Sequence, residues 1–174
     1  MSQKASIQTG EVKGYSWVRI DGRGDVFLAP LVKKFTDQLL ESSSSQDSPP
    51  KLVLDMEVCT GMDSTFMGML AGLAIKFQGI PQSVLQLCFV SQKNVDSLEE
   101  LGIDSLLDIN PSVAEWADQF PHVRTTLKVW GPDQKSSPDA KLILDTHKTL
   151  GSLNEKNKAE FSGVIKTFED QLPD

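Results

Sequence analysis

Cysteine and histidine are scarce in this chain: two of each in 174 residues. Cys59, Cys88, His122 and His147 make no metal-ligand spacing, so no metal site is expected. Cys88 lies in an apolar, strand-like run and reads as a small buried hydrophobe. Cys59 lies in a loop just before Ser64, where a reactive thiol is the lesser alternative. Basic charge is also short, with 17 Lys+Arg against 24 Asp+Glu and a net charge of −7. A nucleic-acid surface normally carries a basic stripe, and anionic membranes attract basic clusters; neither partner is expected. No apolar run approaches the roughly 20 residues that span a bilayer, so no membrane insertion is expected. The opening stretch, MSQKASIQTGEVKG, lacks the apolar centre of a secretory signal. A reducing, cytoplasmic setting is the expectation. Gly-x-x-x-x-Gly-Lys-Ser and Gly-x-Gly-x-x-Gly loops are both missing, and no nucleotide or other cofactor is expected. There are no internal repeats.

What is present is an ordinary globular balance, 39% hydrophobic and 24% charged residues, in enough chain for a domain with its own core. Ile7 to Ile20 carries Val12, Tyr15, Trp17 and Val18 with Gly10 and Gly14 between, which predicts a hairpin or two short strands. Asp21-Gly22-Arg23-Gly24 predicts a turn. Leu28, Leu31, Val32, Phe35, Leu39 and Leu40 form a helical stripe. Ser42 to Pro50 reads as a flexible surface connection. Lys51–Met56 and Val84–Val90 predict buried strands, with a helix over Asp63–Phe77 between them. A short helix over Asn94–Leu101 ends at Gly102. A short strand over Leu106–Ile109 and a helix over Ser112–Phe120 follow. Buried strands alternating with helices imply parallel pairing, and the N-terminal hairpin makes the sheet mixed.

Residues 1–120 are thus expected to form one α/β domain, and 121–174 a linker plus a helical-hairpin extension. Val123 to Ser136 reads as irregular. Ser137-Pro138 predicts a cap and first turn, with Gly151 as the stop. Ser152-Leu153-Asn154-Glu155 fits a capping box for a second helix. That helix carries Phe161, Val164, Ile165, Phe168 and Leu172 on one face. Packing on its own domain is the plain expectation for this stripe, and a homodimer or partner contact is the alternative.

The stretch from Leu52 to Gly72 carries the most chemistry. Leu52-Val53-Leu54 ends in Asp55, a polar loop follows, and Asp63-Ser64-Thr65 opens an apolar helix. That puts a serine hydroxyl at a helix N-terminus, a favourable place for negative charge such as a phosphate. The plain alternative is that Asp63 or Ser64 merely caps the helix; the two roles are compatible, with Asp63 and Thr65 as cap and loop residues while Ser64 accepts the phosphate. Phe66, Met69, Leu70, Leu73 and Phe77 share the face expected to pack on the sheet. Met67, Gly68, Ala71, Gly72 and Ile75 lie toward the other side, a smooth face suited to a packing seam or a docking surface. An enzyme is not expected. The hydrolase elbow is Gly-x-Ser-x-Gly, the chain reads Met62-Asp63-Ser64-Thr65-Phe66, and neither histidine has a catalytic context.

The order of elements and the Asp63-Ser64-Thr65-x-x-Gly68 motif resemble the STAS domain family, the anti-sigma factor antagonists. Supporting matches are Leu52–Asp55, Leu85–Val90 and Leu101-Gly102-Ile103, and the resemblance covers roughly residues 5 to 120. It implies a mixed sheet flanked by helices. It implies a non-catalytic protein that switches partners in bacterial transcription control. The partners implied are an anti-sigma factor that is also a serine-protein kinase, and a phosphatase. The phosphorylated residue would be Ser64, and Phe66, Met67, Gly68, Ala71 and Gly72 would form the docking face. Many members have glycine where Phe66 stands, so a different partner choice is expected there. The alternative is a STAS-like subunit of another signalling assembly or of a transporter system, without a phosphate switch.

Overall fold

Lys13 at φ +48° and Gly14 at φ +79° turn the chain back between β1 (Ser6–Val12) and β2 (Tyr15–Gly24). Two successive positive φ values match the right-handed twist of a hairpin. The computed structural model describes residues 4–131 and 137–172. The predicted turn at Asp21–Gly24 is instead the far half of β2, because that half has a partner of its own. β3 (Lys51–Asp55) runs parallel to the first half of β2, and a short β4 (Cys59–Met62), read as loop from the sequence, runs parallel to the second. β5 (Val84–Cys88) and β6 (Asp108–Ile109) add parallel strands beyond β3. β7 (Lys128–Trp130) pairs antiparallel with β1 at the other edge. The order is β6-β5-β3-β2-β1-β7, with β4 on β2. β7 therefore brings part of the expected linker into the sheet, and Val123–Ser136 is not irregular up to Trp130.

Both faces of this mixed sheet are buried, which explains the unbroken Leu52-Val53-Leu54 run. Leu52 and Leu54 face one core with Val18, Ile20 and Leu87; Val53 faces the other with Trp17 and Cys88. The first core is covered by α1 (Ala29–Ser45) and α2 (Ser64–Gln78). α1 continues through the Ser-rich stretch expected to be a loop. Ser42 and Ser45 donate their hydroxyls to the Leu39 and Glu41 carbonyls at 3.0 and 2.8 Å, so they bond along the helix instead of breaking it. α3 (Gln92–Glu100) ends before Gly102, at φ +73°.

The second core is covered by residues 111–127. No helix forms over Ser112–Phe120; turns lead into α4 (Phe120–Thr126) instead. The reason is Pro121, which stands in the first turn of α4, where its missing N–H is not needed. α5 (Ala140–Leu153) and α6 (Glu155–Gln171) form the C-terminal hairpin. The cap of α5 is Asp139, which accepts from the Lys141 and Leu142 N–H groups, rather than Ser137. Gly151 lies inside α5 and stops nothing. Asn154, not Ser152, caps α6 by accepting from the Asn157 N–H at 2.8 Å.

The hairpin packs on its own domain. Leu142, Leu150 and Phe161 join the α1–α2 core, with Val164 and Ile165 against it. Its turn is pinned to the end of α3. Asn157 Nδ2 donates to the Leu101 carbonyl at 2.8 Å, Asn154 Nδ2 to the same oxygen at 3.4 Å, and Lys156 Nζ to the Glu100 carbonyl at 3.2 Å. These are carbonyls that a helix end leaves without partners.

Candidate functional site

Asp63 fixes the start of α2 in two directions. Its Oδ1 accepts from the Phe66 N–H at 2.9 Å, as an N-cap does, and its Oδ2 accepts from the Val26 N–H at 2.8 Å. The second bond ties the segment between β2 and α1 to the helix start. Ser64 is the first helical residue, half-buried, at the positive end of the α2 dipole. Thr65 follows it, buried in the first turn.

The fold brings to Ser64 a side chain 83 positions away: its hydroxyl lies 2.9 Å from Nε2 of His147 on α5. The other ring nitrogen, Nδ1, is 2.7 Å from the Ile143 carbonyl oxygen, one turn back in α5. A carbonyl only accepts, so Nδ1 carries a hydrogen, and in that tautomer Nε2 accepts from the Ser64 hydroxyl. His147 is 4% exposed and meets the Phe161 ring of α6 edge-on at 5.3 Å. Neither histidine has a catalytic context in the sequence, yet His147 stands where a base for a serine would stand. Its orienting group is a backbone carbonyl, and the ring is sealed under α6. This arrangement holds a hydroxyl in place. The signal available in the sequence was a polar pair, Thr146-His147, set into the apolar stripe of Leu142 and Leu150.

The expected docking residues divide into two groups. Phe66 is fully buried and faces inward, so it is not part of any surface. Its ring lies against Gly24, where an added β-carbon would sit 2.7 Å from the phenyl. Met67, Gly68 and Ala71 are buried as well, Gly72 is half-buried and Ile75 is exposed. The cover over Gly68 is α5. A β-carbon on Gly68 would lie 2.6 Å from the Thr146 carbonyl oxygen and 2.8 Å from its Cβ. Of the two alternatives for the smooth face of α2, a packing seam or an open docking surface, the structure has the seam at Gly68, occupied by the chain's own hairpin, whose apolar stripe needed cover. Beyond Gly68 the fit loosens. A β-carbon on Gly72 meets nothing within 4 Å, and a cavity of ≈ 200 Å³ opens there between α1, α2 and α5.

Cys59, on β4, is buried, and burial raises its thiol above the ordinary range despite bonds from neighbouring backbone. That does not favour the reactive-thiol alternative. Among the described residues no group of three or more His, Cys, Asp or Glu side chains is placed to hold a metal. Among them, too, no helix is long and apolar enough to cross a membrane.

On the other face of the sheet lies a charged cluster with no counterpart in the sequence reading. Asp55, fully buried at the end of β3, receives Arg124 of α4 through Nε at 2.9 Å and Nη2 at 3.0 Å. Trp17 Nε1 donates to Asp55 at 3.3 Å, and Glu57 accepts from both Arg19 and Arg124. The guanidinium carbon lies 4.5 and 5.0 Å from the centres of the Phe89 and Phe120 rings. Burial works against the Arg124 charge, but Asp55 and Glu57 outweigh it and hold its pKa above the usual arginine value. This cluster fastens α4 to the sheet.

No protein-family model matches the chain, and no curated protein matches it by sequence. Solved structures do match. A crystal structure of TM1081 from Thermotoga maritima, a candidate anti-sigma factor antagonist, aligns over 68% of this chain and 94% of its own, at 16% identity and a TM-score of 0.54. An NMR structure of TM1081 aligns over 64% of this chain and 85% of its own, at 16% identity and a TM-score of 0.52. The mixed sheet with its flanking helices, carrying the C-terminal helices α5–α6, is a STAS-like fold.

Proposed function

We propose that this protein is a non-catalytic, protein-binding switch of the anti-sigma factor antagonist type, controlled by reversible phosphorylation of Ser64. The observation that carries the reading is the position of Ser64: first residue of α2, behind the Asp63 cap, in a fold shared with TM1081. A phosphate there gains from the helix dipole and adds about −1.5 to −2 charges at the edge of the α2 face. Loss of a partner by tenfold needs only about 1.4 kcal/mol, which one misplaced dianion supplies. The partners in this reading are an anti-sigma factor that doubles as serine kinase, and a phosphatase. Two buried free thiols fit a reducing, cytoplasmic setting.

One observation favours a second reading. Ser64 is already engaged by His147, and the adjoining face is under α5. A STAS-like subunit of another signalling assembly or of a transporter system, with no phosphate switch, would have no need of an open Ser64. Intact mass and peptide mapping of protein from native cells separate the two: phosphate on Ser64 is expected, and its absence under every growth condition favours the second. Affinity capture with wild type, Ser64→Ala and Ser64→Asp adds a functional test. Ser64→Asp is expected to lose a partner that Ser64→Ala retains, and identical partner sets would overturn the switch.

A further inference from the structure

We infer that the α5–α6 hairpin is a built-in occupant of the α2 face, latched by the Ser64–His147 hydrogen bond, and that phosphate on Ser64 releases it. Three observations carry this. The latch joins the serine directly to α5, at 2.9 Å. One turn further along α2, α5 sits so close that Gly68 has no room for a single added carbon before the Thr146 backbone. The His147 ring is buried and packs edge-on against the Phe161 ring of α6, 5.3 Å between centres.

Ser64 is half-buried with its hydroxyl turned to His147, so a phosphoryl group added there meets α5 while the hairpin is in place. When a kinase transfers it from ATP, the Ser64 Oγ–P bond forms, the bond from the γ-phosphorus to ADP breaks, and the serine proton passes to the kinase's base. The hydroxyl that His147 held is then gone. In its place is a dianion with three acceptor oxygens, next to Asp63 and under a helix with no slack at Gly68. Burying it there against an aromatic ring carries a large desolvation penalty. Moving α5 aside returns the phosphate to water and uncovers Met67, Gly68 and Ala71. That the uncovered face then takes a partner rests on the function proposed above; the latch does not.

The test is amide hydrogen exchange on the full chain, with phosphoserine installed at position 64 during translation, and in parallel on Ser64→Glu, His147→Ala and His147→Gln. Phosphate and Ser64→Glu are expected to speed exchange in α5 and α6 by tenfold or more, with β3 and β5 unchanged. His147→Ala is expected to loosen the hairpin in the same pattern. His147→Gln, whose amide can still meet the Ser64 hydroxyl, is expected to stay close to wild type. Unchanged exchange in α5–α6 on phosphorylation overturns the latch, as does an equal rise in β3 and β5, which marks general destabilisation. Slower exchange overturns it too, since it shows a protonated His147 taking the phosphate as counter-ion. No partner or kinase enters the measurement. An opened hairpin with identical partner sets in the capture experiment would sink the switch and leave the latch standing; a closed hairpin with a Ser64-dependent partner would do the reverse.

Discussion

Arg124 and Asp55 meet in a two-pronged ion pair, at 2.9 and 3.0 Å, across 69 residues of sequence. The carboxylate is fully buried, so these contacts take the place of water around it. Arg124→Ala strips the main counter-charge and leaves a buried anion. The expected cost is about 3 kcal/mol, the low end for a broken buried pair, because Trp17 and Arg19 still reach Asp55. Arg124→Lys should recover only part of it, since an ammonium neither forks onto a carboxylate nor lies flat against the Phe89 and Phe120 rings. Denaturant unfolding of both variants measures this; an Arg124→Ala protein as stable as wild type would show the pair to be idle.

Gly24 and Phe66 are complementary, one supplying the hollow that the other fills. Phe66→Ala should cost about 3–5 kcal/mol through a cavity, and Gly24→Ala about 1–3 kcal/mol through overpacking. The double variant Gly24→Ala/Phe66→Leu should lose less than the sum of its single changes, because the smaller side chain makes room. Additive losses in a thermodynamic cycle would mean the two positions do not act on each other.

Two glycines of α2 should respond oppositely to alanine. Gly68→Ala pushes a carbon into the Thr146 backbone and should destabilise by about 1–3 kcal/mol. Gly72→Ala opens onto empty space and should stabilise by about 0.5–1 kcal/mol through helix propensity. Melting temperatures moving the same way would contradict the close seat of α5.

Both thiols are raised above their ordinary value of 9.0, chiefly by burial, which favours the neutral form in the folded state. The sign follows. This contribution is fully present below pH 9 and is lost as pH rises from there through the folded values, because the unfolded chain ionises first. Stability should therefore decline above about pH 9 in wild type, and less so in Cys59→Ser/Cys88→Ala, compared as slopes of unfolding free energy against pH. Native protein at pH 8 should resist a thiol-labelling reagent that reacts with both cysteines once unfolded.

The sequence made the strands at Lys51 and Val84, the N-terminal hairpin, α2 and the amphipathic stripe of α6 legible, because each is written in local periodicity. The Asp63 cap was legible for the same reason. What escaped was decided by partners. Asp21–Gly24 carries turn residues but becomes strand because β4 pairs with it. Lys128–Trp130 is too short to announce itself and exists only against β1. The serines of α1 turn inward onto helical carbonyls, which composition cannot show. At the site, Ser64 was visible and His147 was not, since 83 residues separate them and only the docking of α5 joins them. Phe66, placed by periodicity on the sheet-packing face and by the resemblance on the docking face, lies in the core against Gly24 of β2.

Asn154 ends α5 and begins α6 in one extended residue, at φ −161° and ψ 165°. No loop separates the arms, and the same junction holds the Leu101 and Glu100 carbonyls at the end of α3. On the latch inferred above, a change at residue 64 would be felt at residue 101, because His147 of α5 holds the serine and Asn154, at the end of the same helix, holds the Leu101 carbonyl.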